Sequence, residues 1–202
     1  MASKVYFANL RARKDRGLLE KIALLLDHLD LGGKLQRGDT VAIKLHFGER
    51  GNTAFVRPLL LRPVVQKVKD AGGKPFLTDT NTLYSGMRAD AVSHLQVAIE
   101  NGFAFSAVGA PIIIADGLWG GAAVEVKIGG KIYDKVSIAH DIYYADALIG
   151  VAHFKGHELS GFGGAIKNLG MGCASRQGKL SQHSEVTPRI KTKKCTGCGR
   201  CI

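Results

Sequence analysis

Short apolar runs alternate along this chain with longer stretches in which apolar residues recur every three to four positions. That alternation predicts α/β architecture, because the first pattern suits buried strands and the second amphipathic helices. Residues 41–47, from Val41 to Phe47, read as a strand. Residues 58–71 read as a helix closed by Gly72-Gly73, the usual C-terminal stop. A strand over 74–78 follows, then a helix over 88–101 ended by Gly102, and an apolar strand over 111–115. Residues 123–137 have the form of a hairpin turning at Gly129-Gly130. A late strand over 147–153 runs into a glycine-rich loop and a helix from about residue 163. Together these elements predict an open, mixed, mostly parallel sheet with helices on both faces and a β-hairpin insertion. Neither an internal repeat nor a low-complexity stretch interrupts the pattern.

Polar residues gather where the predicted strands end. The first strand ends in Lys44-Leu45-His46-Phe47-Gly48-Glu49 and the second in Thr78-Asp79-Thr80-Asn81-Thr82-Leu83-Tyr84. The third ends in Asp116-Gly117, the last in His153-Phe154-Lys155-Gly156-His157-Glu158. Open α/β sheets bind ligands beyond the carboxyl ends of their strands. One shared pocket is therefore expected, with Lys44, His46, Asp79, Asn81, His153 and His157 in its wall. The competing reading of any single cluster is a capped turn.

Length and composition narrow the class. The chain has 202 residues, enough for one domain with one core. Its hydrophobic content of 46% and charged content of 22% suit a globular protein. No apolar run reaches membrane-spanning length and the N-terminus lacks a secretory h-region, so a cytoplasmic location with no membrane association is expected. The formal charge of +11 is concentrated around Arg11-Ala12-Arg13-Lys14-Asp15-Arg16 and Arg189-Ile190-Lys191-Thr192-Lys193-Lys194. Such patches suit an anionic substrate, an acidic redox partner or a polyanion, and they also occur as plain solvated faces. No zinc-finger, homeodomain or RNA-recognition signature accompanies them, so nucleic acid is not the expected partner.

Two stretches carry more specific chemistry. In Ser160-Gly161-Phe162-Gly163-Gly164-Ala165-Ile166-Lys167-Asn168 the glycines open a predicted helix, where bare backbone N–H groups can meet an anion. Lys167 lies one turn inside, as an anion ligand or, with a lowered pKa, as a base or nucleophile. The segment is neither a Walker A loop nor G-x-G-x-x-G. The bland alternative is close helix–sheet packing with Lys167 snorkelling to water. His153 and His157 would share a face if helical, as in a nitrogen–oxygen metal site, but Gly156 between them favours a loop. His28 and His94, within helical patterns, suit solvent-facing or packing roles.

The second stretch is terminal. Cys195, Cys198 and Cys201 form C-x2-C-x2-C, the opening of the bacterial ferredoxin run whose thiolates hold a cubane iron–sulfur cluster. The fourth cysteine and its proline do not follow. A chain truncated within this segment is expected, or a cluster completed from elsewhere. Cys173 is the one other cysteine. It could join a four-cysteine site for iron–sulfur or zinc, though a small buried residue that binds nothing is the stronger reading. The segments that follow are an α/β substrate or cofactor domain over 1–188 and a linker with the cysteine segment over 189–202.

Together, the Lys44-x-His46-Phe47-Gly48-Glu49, Thr78–Tyr84 and His153–His157 clusters, the run from Gly161 to Gly172 and the cysteines resemble the iron–sulfur-centre proteins of domain of unknown function 362. The resemblance spans nearly the whole chain and implies a ferredoxin-like continuation. A second likeness, to the N-terminal domain of nickel-pincer lactate racemases, rests on the Gly-Gly-x-Lys element. It implies that Lys167 holds a pyridinium-derived cofactor, with His140, His153 or His157 as acid–base groups.

The expected function is an iron–sulfur oxidoreductase or electron-transfer protein. Cys195, Cys198 and Cys201 would hold a 4Fe-4S cluster, while Lys44, Asp79, Asn81, Gly161, Gly163 and Gly164 bind a small anionic substrate or cofactor. Lys167, His153, His157 and His46 are the candidate catalytic groups. A cubane passes one electron at a time, so a redox partner protein and a radical- or redox-competent ligand are implied. Two other readings stand beside it: a binding module with a structural Cys metal site and a polyanion-binding surface, and a redox-neutral enzyme of the racemase type.

Overall fold

The computed structural model describes residues 3–158, 160–184 and 191–197. Its centre is a four-stranded sheet of β1 (Thr40–Lys44), β2 (Lys74–Asp79), β3 (Ile112–Ile114) and β6 (Ala147–Gly150), in the order β3-β2-β1-β6. All three pairings are parallel, running from Thr40↔Lys74 to Lys44↔Thr78, from Val41↔Ala147 to Lys44↔Gly150, and from Leu77↔Ile112 to Asp79↔Ile114. Parallel strands are covered on both faces, which is why β1 and β2 read as nearly unbroken apolar runs. Lys44 is the exception, a lysine only 1% exposed at the end of β1.

The predicted strands are present, some shorter than expected. Pairing of β1 stops at Lys44, although Leu45 and Phe47 stay buried beyond it. The helix expected over 58–71 starts as a 3-10 turn, Pro58–Leu61, and becomes α3 (Arg62–Asp70). The helix expected from residue 88 begins later, as α4 (Ala91–Glu100), because the Asp90 side chain accepts a hydrogen bond from the Ser93 amide at 2.9 Å and caps it there. Arg88 is thereby left in the loop after β2. The chain also forms α1 (Leu18–Asp27), α2 (Leu31–Lys34), α5 (Phe105–Val108) and α6 (His140–Tyr143).

The main core lies where Ile43, Leu45 and Phe47 meet Val64 and Val65 of α3, Leu77 of β2 and Phe103. Phe47 and Phe103 pack edge to face at 5.2 Å. The expected hairpin forms from β4 (Ala123–Lys127) and β5 (Lys135–Ala139), antiparallel and outside the main sheet. A second hairpin occupies the segment expected to be a loop: β7 (Lys155–His157) pairs with β8 (Gly161–Gly163). His153 and His157 therefore do not share a helical face. Strand alternation instead sends Lys155 and His157 to the same side. Two short helices close the described fold, α7 (Ala165–Gly170) and α8 (Arg176–His183).

The strand order fixes where a ligand can sit. From β1 the chain steps outward to β2 and β3, then returns to place β6 on the other side of β1. Adjacent connections leave in opposite directions at β1 and β6, so a crevice opens beyond their carboxyl ends.

Candidate functional site

That crevice is a cavity of about 350 Å³, lined by residues from the ends of β1, β2 and β6, from the β7–β8 hairpin, and from α7 and α8. The size suits a small molecule. Its floor is a buried charge cluster. Lys44 Nζ pairs with Asp79 Oδ1 at 2.9 Å and donates to Leu45 O and Asn168 Oδ1, each also at 2.9 Å. An ammonium has three protons, and all three of Lys44 are engaged within the protein. Asn168 in turn donates from Nδ2 to Lys44 O and Val151 O, both at 3.2 Å. One side chain of α7 thus ties together the ends of β1 and β6.

Arg88 holds the other side of Asp79, with Nη1 at 3.3 Å from Oδ2. Its Nε donates to Glu49 Oε1 at 3.0 Å and its Nη2 to the Tyr84 hydroxyl at 2.5 Å. Burial alone would push the Asp79 carboxyl up, but Lys44, His94 and Arg88 outweigh it and hold it well below the usual carboxylate range. Burial also raises the Tyr84 hydroxyl to about 12, so it stays protonated and donates to Glu49.

His46 sits above this floor. Its Nδ1 accepts the Gly48 amide at 2.7 Å, and burial, followed by the Arg88 charge, lowers its pKa to about 4. Its Nε2 lies 3.4 Å from Arg88 Nη2, so the ring is held between the Gly48 amide and the guanidinium. The turn that presents the Gly48 amide needs φ +86°, a region favouring glycine.

Four lysines and one arginine line the cavity, Lys44, Arg88, Lys155, Lys167 and Lys179, against the single carboxylate of Asp79. Asp79 and Glu49 balance Lys44 and Arg88. Lys155 and Lys179 have no carboxylate partner within salt-bridge distance among the described residues. Lys179 is 8% exposed, donates to Thr80 Oγ1 and to Asn81 O at 2.6 Å, and is pushed down to about 8 by burial. Its third proton is left for a ligand. Lys167 Nζ lies against His157 Nε2, and burial with the Lys155 charge lowers its pKa.

Over residues 41–195 the chain matches the family described as Domain of unknown function (DUF362). The chain belongs to this family. Every residue lining the cavity, from Lys44 to His183, falls inside the matched span. This family member is also similar to the thylakoid-associated protein sll1697 of Synechocystis sp., with 28% identity over 197 residues that cover 92% of this chain and 55% of that protein. The chain thus spans about half the length of that relative. No solved structure matches it.

The structure brings Lys44, His46, Asp79, His153, His157, Gly163, Gly164 and Lys167 to this one cavity. Asn81 does not line it. It is fully buried behind, where its amide and side chain hold Asp116, so the third strand end supports the wall from outside. Gly161 lies in β8 away from the cavity, and exposed His140 pairs with Asp141 instead. The glycines open a helix of only six residues. Attraction for anions therefore rests on side-chain charge rather than on a helix dipole. Cys173 is buried with Ala115, Ala139 and Ile142, and burial pushes its thiol up. Cys195 is an exposed free thiol after a 3-10 turn, Thr192–Lys194. Cys198 and Cys201 lie outside the described residues. Among the described residues, no three His, Cys, Asp or Glu side chains are grouped so as to hold a metal ion, and no helix is long and apolar enough to cross a membrane.

Sequence reasoning missed Arg88 and Lys179. Arg88 was legible in part, since Asp90 with Ser93 signals a helix start that leaves residue 88 in the strand-end loop. Lys179 has no such signal, because its backbone acceptor is 98 residues away.

Gly172 is a checkable packing point. A Cβ there would fall on the Asn168 carbonyl oxygen and 2.7 Å from Lys44 Nζ. Gly172→Ala is expected to cost about 1–3 kcal/mol, as overpacking usually does, and to lower the melting temperature. An unchanged thermal transition would show that the turn yields.

Proposed function

We propose that this chain binds a small carboxylate- or phosphate-bearing ligand in the strand-end cavity. In the same proposal a cluster held by the C-terminal thiolates passes electrons to or from that ligand. The carrying observation is the proton accounting: Lys44 and Arg88 are committed to Asp79 and Glu49, while Lys155 and Lys179 keep charge for a ligand.

The cluster part rests on the donor set. Three thiols at C-x2-C-x2-C spacing suit a cubane. When bound, such a cluster supplies one-electron chemistry and calls for a redox partner protein.

Titration calorimetry with oxalate tests the anion site. Binding that weakens about tenfold or more in Lys155→Met is expected, the scale of a lost hydrogen bond to a charged group. Lys155 is exposed, so the variant should fold. No heat with oxalate or inorganic phosphate, or binding indifferent to Lys155, would overturn the reading. For the cluster, anaerobic reconstitution with iron and sulfide should give a reducible signal by electron paramagnetic resonance that Cys195→Ser loses. Stoichiometric zinc uptake without iron would instead make the site structural.

A further inference from the structure

We propose that Lys167 is an imine-forming nucleophile, and that the ligand of this cavity is an aldehyde or ketone bearing an anionic group. The inference deepens the anion-binding reading and rests on it for the ligand's charge.

The tautomer of His157 sets the state of its neighbour Lys167. Its Nδ1 accepts the backbone N–H of Ser160 at 3.1 Å, so that nitrogen carries no hydrogen. A neutral imidazole then bears its proton on Nε2, and Nε2 is the atom that meets Lys167 Nζ. A donor N–H cannot face an ammonium, which has donors only. The contact is therefore a hydrogen bond from Nε2–H to the lone pair of a neutral amine. The surroundings disfavour the ammonium: Lys167 is half-buried, Lys155 lies near enough for its charge to oppose protonation, and no carboxylate pairs with Lys167 among the described residues. A neutral lysine amine is the form that attacks carbonyl carbon.

The surroundings suit the rest of such a ligand. Lys155 and Lys179 line the same cavity and can hold a carboxylate or phosphate. In the step itself the Nζ lone pair forms a bond to the carbonyl carbon and the carbonyl π pair moves to oxygen. That oxygen leaves as water with the two amine hydrogens, giving a neutral C=N bond. No oxidant or reductant is consumed. An imine at this point draws electrons from the neighbouring carbon, which eases loss of a proton or a carboxylate there.

The test is reductive trapping on the full chain with glyoxylate and cyanoborohydride at pH 7, mapped by peptide mass spectrometry. The expected result is N-carboxymethylation of Lys167 about tenfold or more faster than of Lys155, Lys179 or surface lysines. Glyoxylate should also outpace propanal, a neutral aldehyde, at Lys167. Lys167→Arg should lose the adduct while keeping the wild-type thermal transition, which shows an intact fold. In His157→Gln the pH midpoint of labelling should move upward, a change that a merely structural role would not produce. Even labelling across the lysines, or labelling concentrated at Lys155 or Lys179, overturns the inference whatever oxalate does. Oxalate titration of the wild-type chain decides the anion reading separately.

Discussion

Asp79→Asn is expected to lower the stability of the fold by about 3–5 kcal/mol, the usual cost of breaking a buried ion pair from one side. At roughly 2–4 °C per kcal/mol for a chain of this size, the melting temperature should fall by about 10 °C. The carboxylate is 5% exposed and lies between Lys44, 1% exposed, and Arg88, 4% exposed. It also accepts the Thr80 amide at 2.9 Å. Asparagine keeps the shape but turns an NH2 group toward one of the two cations and removes the charge that holds both. Lys44 cannot reach water, so it must lose its proton or leave its place. Its partners on Leu45 and Asn168 would go with it. Adding Lys44→Met to Asp79→Asn should recover part of the loss, because that pair is then removed together. Urea unfolding of the single and double variants measures both effects. A loss below about 1 kcal/mol in Asp79→Asn would mean that the cluster is far better hydrated than its burial indicates.

Stability is also expected to fall steeply as pH drops from 6.5 toward 4. His46 and His94 are both lowered to about 4, burial being the leading cause for each. A lowered folded pKa means that the unfolded chain takes up protons first. The stabilisation is thus complete above about 6.5, the unfolded value, and is lost as pH falls toward the folded one. At pH 5 each histidine has lost roughly 2 kcal/mol, from 1.36 kcal/mol per unit over 1.5 units, or about 4 kcal/mol together. Asp79 adds nothing in this window. Its pKa is lowered as well, and its contribution is lost only below the ordinary carboxylate range.

His94 shows why burial dominates. It is fully buried, its Nδ1 stands 3.4 Å from Asn81 Oδ1, and its Nε2 has no hydrogen-bond partner among the described residues. Asp79 Oδ2 lies 3.8 Å from that nitrogen, close enough to favour a proton but too far to bond it. Urea midpoints at pH 7 and pH 5, for the wild type and His94→Phe, test the idea. Phenylalanine keeps an aromatic ring against Phe47 and should remove about half of the pH dependence. Equal wild-type stability at the two pH values would refute it.

The sheet was legible because buried parallel strands need short apolar runs, and 41–43, 75–77 and 111–115 supply them. Convergence of Lys44, His46, Asp79 and His153 was legible too, as polar residues at strand ends have one place to go once the strands align. What each polar residue does there was not. Sequence pattern marks Lys44 as a charge in an apolar strand, yet its occupation depends on Asn168, 124 residues away. The β7–β8 hairpin escaped notice because its five glycine or aromatic positions give no alternation to read. The sequence left His157 between a loop and a helical pairing with His153, whereas the hairpin makes it the neighbour of Lys167.

The clasp that Asn168 forms between β1 and β6 also sets an order of assembly. Lys44 and Asn168 are 124 residues apart, so at a synthesis rate of about 5–20 residues per second β1 waits roughly 6–25 s for its clasp. During that interval β1 can pair with β2, and β2 with β3, but the edge meant for β6 stays open. Lys44 meanwhile has only Leu45 and Asp79 to receive its protons. Such distant closures are slow steps in folding. The cavity can accordingly close only after α7 has been made, late in the chain. A ligand held there would act as a latch on the whole fold.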